Sequence, residues 1–145
     1  MRVLSCSDLS KAVSSGSLLW DINIMGEAEQ EFLQEYGDRD TEELVRVLHL
    51  LPGETISDIN LTGGYYIVAG RRVPLVNLST AEKIFLFAKI AEVTGRAVYF
   101  YRVINQLTDK SLAILFNTFA KCDTVNIVPS YKGEEDYYRM MEASL

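Results

Sequence analysis

The sequence predicts an α/β protein in which a small parallel or mixed sheet is flanked by helices. After residue 78, stretches of helical periodicity alternate with apolar runs of strand length, in the order helix, strand, helix, strand. The connections between them are short, and parallel strands need a crossover helix to join them. A chain of 145 residues with 48 % hydrophobic composition buries a substantial core without disulfide or metal support.

The N-terminal half reads as mostly helical. Met1 to Cys6 opens with a short apolar piece, and Ser7-Asp8 is placed to cap a short helix. Ser14-Ser15-Gly16-Ser17 marks a turn, and Leu18, Leu19, Trp20, Ile22 and Ile24 supply an apolar segment for a strand or for the core. Gly26 to Tyr36 then reads as a helix stopped by Gly37, and a second helix starts at Asp40 or Thr41 and runs to Leu51 before Pro52-Gly53. The single histidine, His49, falls within the apolar pattern Leu44, Val45, Val47, Leu48, Leu51, where it reads as a core or helix-face residue.

Tyr65 to Leu75 reads as two strands around a Gly-Arg turn at Gly70-Arg71. Ser79, with Glu82 three residues on, forms a capping-box pattern in which each side chain takes the other residue's backbone N–H. The helix it starts carries Ile84, Phe85, Phe87, Ala88, Ile90 and Ala91 at helical spacing and stops at Gly95. Ala97 to Val103 is a strand, Thr108 to Ala120 a helix with Leu112, Leu115, Phe116 and Phe119 on one face, and Thr124 to Val128 a strand closed by Pro129. The tail from Glu134 to Met141 reads as a terminal helix with acids at its start and Tyr138 and Met141 on its apolar side. These elements form one domain, 1–145, with a mostly helical part at 1–55, an α/β part at 56–130 and a C-terminal helix at 131–145.

The order of elements over 59–130 resembles the C-terminal lobe of the ABC, SMC and RecF-like ATPases. Leu78 to Lys83 is similar to the signature motif, Ala97 to Val103 to the strand that carries the Walker B acids, and Leu107-Thr108-Asp109 to the D-loop. Asp109 follows Leu78 by thirty-one residues, close to the family spacing. The resemblance implies a signature-like phosphate contact in trans by Ser79, Thr80, Ala81 and Glu82, and a D-loop role for Asp109. The departures are as informative. Arg102 and Val103 stand where the family has the acids that hold Mg²⁺ and polarise water, and Ser130 stands where it has a switch histidine. No G-x-x-x-x-G-K-[ST] occurs, so the phosphate cradle is missing. The resemblance therefore implies a truncated, degenerate lobe that uses no cofactor and does not hydrolyse ATP by itself.

Charge narrows the partners. The net charge of −6 is concentrated between Glu27 and Glu43, where eight acids fall within seventeen residues against one base, Arg39. Such a surface disfavours direct contact with a nucleic-acid backbone, which requires Lys and Arg. On a helix it reads as a solvated face or, more sharply, as an acidic interaction face carried by Glu27, Glu31, Glu35 and Asp38. Cys6 and Cys122 are too few for a disulfide framework or a metal site. With neither a signal-peptide pattern nor an apolar run of spanning length, the expectation is a soluble, cytoplasmic protein with no membrane contact. Functionally the sequence points to a non-catalytic protein-interaction or regulatory module that pairs with itself as a homodimer or with an ATPase subunit. Two alternatives stand beside it: a split ATPase half-site, and an acidic decoy of a nucleic-acid-binding protein.

Overall fold

In the computed structural model, residues 1–8, 18–19 and 27–145 are described. They form two compact units, one from the described residues of 1–20 together with 95–145, the other from those of 21–94. The helix expected after Asp8, the turn at 14–17 and the apolar residues Trp20, Ile22 and Ile24 lie outside the described residues.

The first unit is built on a parallel sheet of four strands: β1 (Arg2–Val3), β2 (Leu18–Leu19), β6 (Val98–Tyr101) and β7 (Val125–Val128). Their order is β1-β7-β6-β2, with Val3 opposite Ile127, Phe100 opposite Ile127 and Leu18 opposite Tyr99. All of β7 is buried, the polar Asn126 included, as befits a strand between two parallel neighbours. The crossover from β6 to β7 is helix α4 (Asp109–Thr118), whose Leu112, Leu115 and Phe116 are fully buried. Thr108 caps it by accepting from the Ser111 amide at 3.1 Å. Helix α5 (Lys132–Ala143) follows β7, and its Tyr138 ring lies 5.9 Å from that of Phe116.

The second unit contains helices α1 (Glu27–Tyr36), α2 (Glu42–Leu48) and α3 (Thr80–Thr94), and an antiparallel sheet of β3 (Ile56–Asn60), β4 (Tyr65–Val68) and β5 (Arg71–Pro74). Phe32, Leu33 and Tyr36 of α1 are buried, and the Phe32 ring lies 5.4 Å from Phe87 of α3. Gly37, at φ 63°, ends α1 in the left-handed conformation that glycine adopts without strain. Helix α2 ends at Leu48, short of the expected Leu51. Leu50 and Leu51 tighten onto the carbonyls of Val47 and Leu48, and the His49 imidazole donates to the Ile56 carbonyl at 2.7 Å. His49 is thus a staple between the end of α2 and β3.

The β4–β5 hairpin turns at Ala69-Gly70, where both residues have positive φ, 51° and 76°, as a two-residue hairpin turn requires. Strand β3 was not legible as a strand. Its two buried residues, Ile56 and Ile59, are three apart, and a register shift between Ile56 and Asp58 brings both inward. A bulge of this kind breaks the two-residue period by which strands are recognised.

Candidate functional site

In open parallel sheets, ligands bind outside the carboxyl ends of the strands, at the point where neighbouring connections diverge. Here that point lies between β1 and β7. The chain leaves β1 to re-enter the sheet at the opposite edge as β2, whereas β7 beside it is reached from β6 and leads on to α5. The loops after β1 and β7 both direct donors into this crevice, and carboxylates of α5 accept them. The Cys6 amide donates to Glu135 Oε1 at 2.8 Å. The Ser130 amide and hydroxyl donate to Glu134 Oε1 at 2.9 and 2.8 Å.

Both carboxylates are buried, Glu134 at 1 % and Glu135 at 5 % exposure. A buried carboxylate is tolerated only when its lone pairs are satisfied, and each of these has several donors. Glu135 also receives Arg139 Nε at 3.1 Å and Lys132 Nζ at 3.3 Å. The Cys6 amide first, then Arg139, hold its carboxyl down to about 2. Glu134 accepts the Tyr138 hydroxyl, which in turn accepts the Ile104 amide at 3.1 Å from the loop after β6. Burial, then the bond to Glu134, push the Tyr138 phenol up. One turn of α5 therefore satisfies the donors of three loops.

The residues singled out in the sequence are placed as follows. Ser79 and Glu82 close a reciprocal capping box at the start of α3: the Ser79 amide donates to Glu82 Oε1 at 2.9 Å and the Glu82 amide to Ser79 Oγ at 3.2 Å. Thr80 and Ala81 form the first turn of that helix, half-buried. Asp109 begins α4 and accepts the Tyr137 hydroxyl at 3.0 Å. Ser79 to Glu82 belong to one unit and Asp109 to the other. Glu27, Glu31 and Glu35 lie exposed along α1 at four-residue spacing, and Asp38 is exposed in the turn beyond. Arg39, the only base among them in sequence, donates instead to the carbonyls of Glu35 and Tyr36 at 2.7 and 3.0 Å, and so closes the end of α1.

Arg102 stands directly after β6 with φ 59°, a left-handed conformation that costs a non-glycine residue about 1–2 kcal/mol. Val103 beside it is fully buried. Among the described residues no group of His, Cys, Asp and Glu is arranged to hold a metal ion. Nor is any helix among them long and apolar enough to cross a membrane. Compared with known protein families, curated proteins and solved structures, the chain matches none.

Sequence reasoning missed the crevice. Glu134 and Glu135 read as ordinary acids at a helix N-terminus, and their partners at Cys6 and Ser130 carry no motif. The usable signal was the Tyr138 register, since a tyrosine on the apolar face of a helix brings a hydroxyl that needs a buried partner.

Proposed function

We propose that this chain is a non-catalytic protein-interaction module, similar to a degenerate ABC or SMC-type ATPase lobe, that acts through a partner protein or a second copy of itself. The observation that supports this reading best is the filled crevice. Phosphates are held by free amides and hydroxyls at the carboxyl ends of such strands. Here the Cys6 amide and the Ser130 amide and hydroxyl are already taken by Glu135 and Glu134. Two buried carboxylates in that place repel an anionic ligand as well as exclude it. The commitment of the Ser79 hydroxyl to its own helix weakens the half-site alternative for the same reason.

The acidic face of α1 favours a basic partner. Glu27 and Glu31, and Glu31 and Glu35, are like charges at four-residue spacing, an arrangement that destabilises a helix by roughly 0.2–0.5 kcal/mol per pair. A surface that costs stability in the free protein is accounted for when a cationic partner neutralises it. This supports the decoy alternative as one form of the module.

The test measures two things on the purified chain: Mg²⁺-dependent ATP turnover, and affinity for polylysine by calorimetry. No turnover above buffer is expected. Reversing Glu27 and Glu31 to lysine should weaken polylysine binding several-fold more than the same charge change at Glu54 and Asp123, both exposed elsewhere. Turnover that survives purification would overturn the non-catalytic reading. Equal loss in the two double variants would remove the basic-partner role of α1.

A further inference from the structure

The end of strand β6 carries a second feature beside the filled crevice: the Ile104 amide of the turn after β6 donates into that network, but the residues around it do not. An open cleft of about 380 Å³ is lined, among the described residues, by Tyr101, Arg102, Asn105 and Gln106. Tyr101 is the last position of β6, Asn105 ends the 3-10 turn Val103–Asn105 that follows, and Arg102 and Gln106 flank that turn on either side. We propose that this cleft is a binding site for a small molecule that carries a phosphate group, with Arg102 as the anion-binding residue.

Four observations converge on it. Arg102 is exposed and pairs with no carboxylate among the described residues, although the chain holds more acids than bases. Its guanidinium lies 5.9 Å from the centre of the Tyr101 ring, so the planar donor fork is steered by an aromatic face and left open on its other edges. Its backbone is held at φ 59° because the Arg102 amide donates to the Val128 carbonyl at 3.4 Å and the Arg102 carbonyl accepts the Asn105 amide at 3.1 Å. Strain of this kind in a non-glycine residue persists only where the surroundings over-determine it, and it gathers at ligand sites. Lastly, the position is the carboxyl end of an interior parallel strand, where α/β proteins receive ligands.

The lining specifies the ligand chemistry. A guanidinium fork matches two oxygens of a phosphate, and the side-chain amides of Asn105 and Gln106 can donate to the remaining oxygens or to the body of the molecule. The half-buried Tyr101 bounds the cleft beside Arg102 and limits the room left for that body. Glu134 and Glu135 do not line this cleft, so the carboxylates that close the β1–β7 crevice leave it open.

The test uses inorganic phosphate and phenyl phosphate as probes, titrated into the full chain by calorimetry. Phenyl phosphate should bind saturably with one site per chain and more tightly than inorganic phosphate, because its larger body fills more of the cleft. Arg102→Gly keeps the left-handed backbone and removes the fork. It should weaken binding about tenfold or more, the loss expected for a charge-assisted pair. Arg71→Gln removes an exposed arginine from the hairpin of the other unit and should leave binding unchanged. The unfolding midpoint of Arg102→Gly verifies that the variant is folded. Absence of saturable binding in the unaltered chain, or equal binding by Arg102→Gly, would overturn the proposal.

Discussion

Glu135 ties the loop after β1 to helix α5, far from it in sequence, and its effect can be read in the pH dependence of folding. Its carboxyl is held at about 2 in the folded chain against an ordinary value of 4.5, chiefly by the Cys6 amide and then by Arg139. A depressed acid stabilises the fold while it is ionised. That contribution is fully present above pH 4.5 and is lost as pH falls through 2. The stability difference between the unaltered chain and Glu135→Gln should therefore be largest near neutral pH and should shrink over this acid range. Urea unfolding of both proteins at a series of pH values measures it. A difference that stays constant with pH would show that Glu135 acts by packing alone. None of this was visible in the string Lys132-Gly133-Glu134-Glu135-Asp136, where all three acids read as helix N-terminal charges. Only Asp136 is left exposed, pairing with Lys132 at 3.2 Å.

At the scale of elements, α3 is where local sequence and structure agree most fully. The capping box at Ser79 and Glu82, the helical spacing of Ile84 to Ala91 and the stop at Gly95, with φ 77°, are all realised. Ser79→Ala removes the acceptor for the Glu82 amide and should cost about 1 kcal/mol, read as a lower urea midpoint with an unchanged slope. Ser79→Asp restores an acceptor and should recover most of that loss; failure to recover it would mean that the hydroxyl serves something other than the cap. Strands β6 and β7 were legible for a similar reason, since a dense apolar run between short connections needs only local information. Strand β3 was not, because its bulge is decided by pairing with β4. The end of α2 was misplaced by three residues because a contact from His49 to β3, seven residues on, competes with further helical turns.

For the molecule as a whole, charge is distributed unevenly between the two units. The stretch 21–94 holds thirteen acids and six bases, whereas the remainder holds seven acids and eight bases. The acidic unit therefore carries most of the self-repulsion, which salt screens over a Debye length of about 8–10 Å. Raising sodium chloride should increase the stability of the chain, and Glu31→Lys should reduce that increase by relieving two like-charge pairs on α1. Thermal unfolding across a salt series measures this. A midpoint that falls with salt would mean that ion pairs such as Lys89 with Glu92, at 2.6 Å, outweigh the repulsion.

The sequence by itself determined the α/β class, the parallel pair β6 and β7 with its crossover helix, the β4–β5 hairpin and the capped start of α3. Each rests on periodicity, turn chemistry or a cap, and all of these act over a few residues. Tertiary structure decided the four-strand order β1-β7-β6-β2, the bulge in β3, the seating of Glu134 and Glu135 at the ends of β1 and β7, and the left-handed turn at Arg102. Those features depend on partners outside the local stretch: Val68 for Ile56 in β3, the Val128 carbonyl for the Arg102 amide, and the Cys6 amide for Glu135. A buried polar group takes whichever partner the fold brings within reach, and the sequence around it carries no record of that choice.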